Sequence, residues 1–341
     1  MTDSVIENTL NQIWTLYKND ESQDRGLAAI SIDSNNLCDI KAGVMFPSKQ
    51  EAILVGFSSK KVTKKVTLPK GKGFEVLFFN DNENLPGAWF VLLREPAGNI
   101  ELFTKMALDI ITVLRKSAYK DVSEVNNAFI QRILAWQRFM SIKHNSLSRD
   151  QIVGLNGELE VLIHLLQEIP EHKRVIDSWT GPVHGVQDFS FDKTKAIEVK
   201  SYVRGTSTPK INIDSEDQLD PIALDFLFLC VNQFVECKEG RSLSDRIESV
   251  RQLLSKDSVA FSSFDEKLMN FGISDVNEDP YYDKIRLALD KMDCYHIKTG
   301  FPSIKRSEIS SAIQNVRYEI NVDLVDDSFF IPFEQILAKC K

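Results

Sequence analysis

The chain has 341 residues, of which 43% are hydrophobic and 26% are charged, and its formal net charge is −8. This composition is that of an ordinary soluble globular protein, and no apolar run approaches the ~18 residues that a membrane span needs. The acidic balance argues against a protein that coats nucleic acid by bulk electrostatics. It does not argue against a nuclease, because phosphate contacts need only a local positive surface.

The N-terminus and the cysteines bear on location and redox state. The first seven residues are acidic where a secretory signal would be basic. The five cysteines are scattered with no metal-type pair, which favours reduced thiols. We therefore expect a cytoplasmic protein, and the length favours two domains.

The first part of the chain is predicted to be β-rich. An amphipathic helix at 2–18 is followed by short β-type runs that turn clusters separate. The runs lie at 27–32, 42–46, 52–57, 62–68, 74–79 and 89–93. These runs contain no recognisable set of catalytic residues. We therefore expect this antiparallel domain to function in recognition or assembly.

Two stretches of the sequence offer a positive surface. Between Lys193 and Lys210, five basic residues stand against one acidic residue. The other stretch contains six lysines with no acid among them, namely Lys60, Lys61, Lys64, Lys65, Lys70 and Lys72. Such a lysine run is either a DNA contact or simply a solvated face or protected strand edge.

Two long helical patterns, at 102–113 and 125–140, are most simply core or connector helices. A boundary near residue 120 gives a β-rich domain at 1–120 and a second domain at 121–341, whose core covers about 148–232.

The next predicted helix carries a candidate acid. Residues 148–151 form a capping box, and the helix runs to about residue 167 before Pro170 stops it. At 100° per residue its leucines and isoleucines form one stripe with Glu158 at the edge, while Glu160 and His164 point the opposite way. Glu158 is therefore either a group that faces into the domain or a surface carboxylate near a helix start.

A hairpin is predicted at 188–203. Residues 192–194 form a turn, which would set Asp188 directly opposite Glu198. Because side chains alternate along a strand, one face carries Ala196, Glu198, Lys200 and Tyr202, and the other carries apolar residues that face a core. The two carboxylates would then converge beside an amine, unless Glu198 and Lys200 form a surface ion pair.

The remaining elements continue a mixed fold. Strands are predicted at 210–213, 295–298, 316–320 and 329–331, and the apolar run 224–231 predicts a strand buried on both faces. Helices are predicted at 241–254, 264–271 and 281–292.

The order of helix, strand, turn and strand with these residues resembles the PD-(D/E)XK nuclease superfamily. The chain is most similar to the prokaryotic family known as "PD-(D/E)XK motif protein". The residues that carry the resemblance are Gly157-Glu158, Trp179-Thr180-Gly181-Pro182, Asp188-Phe189, Glu198-Val199-Lys200-Ser201 and Ser215-Glu216-Asp217-Gln218-Leu219. The proline of the family name is absent, since Gln187 precedes Asp188.

Other acid-x-Lys triplets, such as Asp39-Ile-Lys41 and Glu236-Cys-Lys238, lack this context. The resemblance implies an α/β (α+β) restriction-endonuclease-like fold, with a mixed sheet flanked by helices behind the β-rich domain.

The resemblance and the charges together assign roles. Asp188, Glu198 and the Val199 carbonyl would hold Mg²⁺, or Mn²⁺ as the alternative ion, with Glu158 acting directly or through water. Lys200 would hold and help to deprotonate the attacking water or stabilise developing charge. The candidate substrate contacts are Tyr202, Arg204, Lys210 and Gln218, although Tyr202 is as readily a packed tyrosine and Gln218 a helix-start residue. His184 receives no role.

The predicted function is a Mg²⁺-dependent DNA endonuclease. By analogy it would serve restriction or defence against foreign DNA beside a methyltransferase or ATPase partner, and cutting both strands favours a homodimer. One alternative is a non-catalytic scaffold that binds DNA or protein. A second is a nuclease for RNA or for branched or modified DNA.

Overall fold

The structure, a computed structural model, describes residues 3–34, 37–57, 70–71, 73–82, 85–116, 119, 121–141, 147–181, 185–205, 209–273, 280–313 and 316–341. The chain splits into two compact units, Met1–His144 and Asn145–Lys341. The split follows residue 144 rather than the predicted boundary near residue 120, because the helix at 122–141 packs within the first unit. No helix in the described ranges has the length and apolar character that crossing a membrane requires.

The first unit is an antiparallel sheet with helices before and after it. Its strands pair in the order β1-β2-β3-β6-β5-β4 among the described residues. The elements are α1 (Asp3–Lys18), β1 (Gly26–Ser34), β2 (Cys38–Phe46), β3 (Gln50–Phe57), β4 (Lys70–Gly71), β5 (Phe74–Asn82), β6 (Leu85–Arg94), α2 (Ile100–Lys116) and α3 (Val122–Ser141). The prediction of a β-rich N-terminal region is confirmed. All of the predicted strand 62–68 lies outside the described residues, as do Lys60, Lys61, Lys64, Lys65 and Lys72.

The second unit is built on a mixed sheet in the order β11-β10-β8-β7, beside a two-stranded sheet of β9 and β12. Strands β8 and β10 are parallel, and the outer pairs are antiparallel. The elements are α4 (Arg149–Glu168), α5 (His172–Ser178), β7 (Phe189–Phe191), β8 (Lys195–Val203), β9 (Lys210–Ile213), β10 (Phe226–Arg241), α6 (Leu243–Leu253), α7 (Ser258–Asn270), α8 (Pro280–Lys284), β11 (Leu287–His296), β12 (Tyr318–Asn321) and α9 (Phe333–Cys340). The predicted mixed sheet with flanking helices is confirmed.

Apolar layers cover both faces of this sheet. Ile197 and Val199 of β8 face the layer to which helix α4 belongs. Ala196 faces a second layer, to which strands β9 and β12 contribute Ile211, Ile213 and Ile320. Strand β10 lies between the two layers and is buried on both faces, as its continuous apolar run predicts.

The elements predicted for the C-terminal part of the second unit are partly wrong. Residues 281–292 were expected to form one helix, but α8 ends at Lys284 and the chain continues as β11, because β10 offers it an antiparallel partner from Phe228 to Glu236. The predicted strand 329–331 is reduced to an isolated bridge between Tyr295 and Phe330. Helix α9 was not predicted.

Candidate active site

The hairpin β7–β8 has the predicted register. Phe189 pairs with Ile197 and Phe191 pairs with Lys195, so Asp188, which immediately precedes β7, comes in line with Glu198. The turn is tight, because Asp192 and Lys193 adopt positive φ angles of 52° and 63°. The turn residues thus set which residues of the two strands face one another.

Glu198 is buried, with only 1% of its surface exposed. Its Oε1 atom is 2.9 Å from Lys200 Nζ, and the lysine side chain is 14% exposed. The alternative of a surface ion pair on an exposed sheet face is therefore wrong, because the second apolar layer covers this face. The Oε2 atom of Glu198 is buried and has no hydrogen-bond partner among the described residues.

Glycine at position 157 lets α4 approach the sheet closely. A Cβ atom there would lie 1.8 Å from Ser201 Oγ and 2.9 Å from Asn232 Nδ2. Asn232 also donates a hydrogen bond to the Gly157 carbonyl, at 3.2 Å. Any larger residue would push the helix outward, and with it the next residue, Glu158.

Glu158 faces inward, as one of its two predicted readings requires. Its Oε2 atom accepts a hydrogen bond from Trp179 Nε1 at 2.8 Å. The Trp179 side chain is fully buried and stacks on Phe271, with ring centroids 5.6 Å apart. The indole thus fixes one carboxylate oxygen of Glu158.

Asp188 is held through both its backbone and its side chain. Its Oδ2 atom accepts a hydrogen bond from the Val199 N–H at 2.7 Å. Its carbonyl accepts from the Thr180 N–H at 2.8 Å. The carboxylate therefore stays at the edge of β8, beside Glu198.

The Lys200 ammonium lies between two acceptors. Besides Glu198 Oε1, it donates to Gln218 Oε1 at 3.1 Å. Gln218 Oε1 also accepts from the Asp214 N–H at 3.0 Å. Both donors to this oxygen are unambiguous, so the orientation of the Gln218 amide is fixed by its neighbours.

The side chains of Glu158, Asp188, Glu198 and Lys200 form what we call the carboxylate cluster. Burial, followed by repulsion from Asp188, raises the pKa of Glu158 from 4.5 to about 8. Burial raises the pKa of Asp188 to about 6, against the opposing Val199 N–H and Lys200 charge. Burial and Asp188 raise the pKa of Glu198 well above its usual range. Burial would lower the pKa of Lys200, but its attraction to Glu198 raises it overall.

The carboxylate cluster lines a cavity of about 500 Å³. Other predicted residues in its wall are Val199, Tyr202, Lys210 and Gln218, whereas Arg204 lines a neighbouring cavity. The other three predicted substrate contacts, besides Gln218, already have hydrogen-bond or ion-pair partners within the chain. Tyr202 donates to Gln233 Oε1 at 2.5 Å, and Arg204 and Lys210 pair with Asp290 and Glu319 at 3.3 and 2.9 Å.

Several residues at this site received no role from the sequence. Trp179 and Gln187 stood in or beside the resembling motifs, so their position carried a signal. Ser201, which also lines the cavity, stood in the motif Glu198-Val199-Lys200-Ser201, whereas the cavity residues Arg149, Asp150, Asn212 and Asp214 carried no signal that distinguishes them from surface polar residues. Their contribution depends on folding that brings distant segments together.

The donor set suits a hard divalent cation. The unpartnered Glu198 Oε2 is an acceptor buried without compensation, a situation that a cation relieves. Within the described ranges, no three side chains of His, Cys, Asp or Glu are gathered closely enough to hold a metal ion by themselves. A bound ion would therefore take further ligands from the Val199 carbonyl and from water, which is the coordination that Mg²⁺ favours.

Comparisons with known proteins give a family but no characterised relative. A family model described as "Putative PD-(D/E)XK family member, (DUF4420)" matches residues 10–323. No curated protein and no solved structure matches the chain.

Proposed function

We propose, from the premise that the chain belongs to the DUF4420 family of PD-(D/E)XK type, that it is a Mg²⁺-dependent endonuclease that hydrolyses phosphodiester bonds in DNA. The observation that carries the proposal is the buried, unpartnered Oε2 atom of Glu198, in a cavity that also contains Asp188 and Lys200. In purely structural clusters the large majority of buried side-chain polar atoms have a hydrogen-bond partner, so an unpartnered carboxylate oxygen calls for an explanation such as a ligand.

The residues divide the work according to their contacts. Asp188, Glu198 and the Val199 carbonyl would bind the metal ion, and Glu158, fixed by Trp179, would bind it directly or through water. The metal supplies Lewis-acid stabilisation of the phosphoryl oxygens and a more acidic bound water. Mn²⁺ would serve as an alternative ion, because it also accepts carboxylate and carbonyl oxygens.

Lys200 acts as a hydrogen-bond donor in this proposal. Two acceptors, Glu198 Oε1 and Gln218 Oε1, direct its ammonium, and an ammonium has three N–H groups. The remaining N–H group is available to the attacking water or to a phosphate oxygen. This orientation lets Lys200 position the nucleophile and stabilise charge that builds on phosphorus oxygens.

The substrate is a phosphodiester backbone that reaches the cavity past Arg149 and Lys210, two basic residues of its wall. We extend the proposal to restriction or defence against foreign DNA, with a methyltransferase or ATPase as partner or with a second copy of the chain. Both extensions rest on analogy with restriction-type proteins.

Nuclease assays with matched variants test the proposal. Purified protein is incubated with plasmid, single-stranded DNA, branched DNA and RNA in Mg²⁺, Mn²⁺ or EDTA. We expect metal-dependent cleavage of DNA that Asp188→Asn and Lys200→Met each reduce by about 10³-fold or more. The controls Glu239→Gln and Lys256→Met neutralise an exposed acid and an exposed lysine by the same kind of change and should keep full activity.

A second candidate function is a scaffold that binds DNA or protein without cleaving. The observation that favours it is the Glu198–Lys200 ion pair, which partly satisfies the two side chains without any metal. In that case DNA binding would be the same in Mg²⁺ and EDTA and in both variants. Cleavage that prefers RNA or branched DNA would instead correct the substrate.

A further inference from the structure

The position of Lys200 depends on a short turn elsewhere in the chain. Gln218, whose Oε1 accepts from Lys200 Nζ at 3.1 Å, lies in the 3-10 turn Glu216–Leu219. Ser215 caps this turn by accepting from the Asp217 N–H at 3.2 Å. Leu219 is fully buried in the second apolar layer. The turn is therefore a defined element whose placement decides where the Gln218 oxygen lies.

Gln187, from the segment that precedes β7, contacts the same turn. Its Nε2 atom donates to the carbonyls of Asp217 and Gln218, at 3.0 and 3.4 Å. The Gln187 carbonyl in turn accepts from Thr180 Oγ1 at 2.7 Å. One residue thus links the turn to the segment that places Asp188.

These contacts form a continuous chain from Asp188 to Lys200. Asp188 follows Gln187 directly, Gln187 holds the backbone of Gln218, and the Gln218 side chain holds the ammonium. We infer that Gln187 is a positioning residue that fixes the Lys200 ammonium relative to the Asp188 carboxylate. This inference rests on the proposed function for its catalytic consequence, but the contact itself is independent of catalysis.

The chemistry explains why a glutamine fits this position. Two backbone carbonyls need a donor, and a carboxamide N–H₂ group has two N–H groups to give. A proline, which the family name has before the aspartate, would fix the backbone but donate nothing. In this chain the link to the turn is therefore made by the side chain.

Kinetic measurements on DNA cleavage test the consequence. Gln187→Met keeps the length of the side chain and removes the donor, and Gln187→Glu keeps the shape with acceptors in place of donors. We expect both to lower kcat by about 10- to 100-fold, since a misplacement of about 1 Å can cost this much. KM for DNA should stay within about twofold, because substrate contacts are unchanged. The control Gln252→Met alters an exposed glutamine and should have no effect.

A double-mutant cycle separates positioning from general damage. If Gln187 acts through Gln218, the double variant Gln187→Met, Gln218→Met should be no slower than Gln218→Met alone. Additive losses would show that Gln187 acts by another route and would overturn the inference. Melting temperatures of each variant identify any that are misfolded.

A measurement that needs no activity completes the test. Lys200 is held by two acceptors, so its acetylation by acetic anhydride in EDTA should be slow relative to exposed Lys256, as mass spectrometry can follow. We expect acetylation of Lys200 to rise several-fold in Gln187→Met and in Gln218→Met. Equal labelling in the wild type and both variants would overturn the inference. A wild type that cleaves no substrate, with labelling that still rises, would remove the proposed function and leave the positioning contact standing.

Discussion

Helix α4 carries two inward carboxylates, two residues apart, with opposite surroundings. Glu160 Oε2 is 2.7 Å from Nε of Arg246, a side chain that is only 1% exposed. The other Arg246 nitrogens donate to Asn156 Oδ1 at 3.1 Å and to the carbonyls of Arg241 and Leu287 at 2.8 and 2.9 Å. We call these groups the paired cluster. Glu158, by contrast, has a neutral indole as its donor and lies among other acids.

The difference separates groups that stabilise the fold from groups that the fold has to accommodate. In the paired cluster each charge meets an opposite charge and the guanidinium donors meet acceptors, so burial is compensated. In the carboxylate cluster burial raises the pKa values of three acids, and repulsion from Asp188 raises those of Glu158 and Glu198 further. One oxygen of the cluster has no partner among the described residues. An uncompensated polar site within a well-packed unit indicates a place where a ligand acts.

The largest expected effect breaks the paired cluster. Arg246→Met leaves Glu160 buried without its counter-ion, and we expect the free energy of unfolding to fall by about 3–5 kcal/mol. Urea unfolding followed by circular dichroism measures it. The control Arg174→Met removes a partly exposed pair with Asp192 and should cost about 1 kcal/mol or less. A loss of similar size in the two variants would contradict the comparison.

The next effect concerns Gly157, which lies in α4 between Asn156 of the paired cluster and Glu158 of the carboxylate cluster. Gly157→Ala places a methyl group against Ser201 Oγ, and overpacking of this kind costs about 1–3 kcal/mol. Gly154→Ala, one turn earlier, meets nothing within 4 Å and should stabilise the helix by about 0.5–1 kcal/mol. Thermal unfolding of both variants gives the signs. Recovery of stability in Gly157→Ala, Ser201→Gly would identify the hydroxyl as the obstacle.

A smaller effect compares the two glutamates by the same substitution. Glu158→Gln keeps an acceptor for Trp179 and removes a charge near Asp188, so we expect the metal-free protein at pH 8 to gain on the order of 1 kcal/mol. Glu160→Gln removes the charge that Arg246 needs and should instead lose about 1–3 kcal/mol. Chemical unfolding in EDTA measures both. Equal signs would show that the two sites do not differ as described.

The last effect is a dependence of stability on pH. The folded-state pKa values of Glu158 and Asp188, about 8 and about 6, lie above their ordinary values of 4.5 and 3.8. The folded protein therefore binds these protons more tightly, and their stabilising contribution is complete at low pH and lost as pH rises through 6 and 8. In EDTA we expect the melting temperature to fall across this range, with a shallower fall in Glu158→Gln. A variant with the same slope as the wild type would contradict this assignment.

What the sequence could predict was local. The capping box at Ser148, the register of the hairpin and the inward position of Glu158 depend on residues close together in the chain, and each is found in the structure. The burial of Glu198 could not be predicted, because the face of β8 that carries it is covered by β9 and β12. These two strands are far apart in the sequence and come together only in the folded protein.

Other failures have the same origin. Glu160 was expected only to point away from the stripe, but its partner Arg246 lies 86 positions later in the chain. Residues 287–292, the first part of β11, are predicted as a helix because their own sequence gives no indication that β10 is their partner. Pairing across the sheet overrode local preference there.

The length of β7 has a consequence for how the carboxylate cluster is placed. The strand begins only at Phe189, and the Val199 N–H of β8 donates to the side chain of the preceding residue, Asp188, instead of to another strand. A carboxylate thus completes the edge where backbone pairing ends. Had the hairpin continued for two more residues, a main-chain carbonyl would take the Val199 N–H and the Asp188 carboxylate would lose this anchor. The shortness of one strand thus leaves a side chain, rather than main chain, at the border of the sheet and in the wall of the cavity.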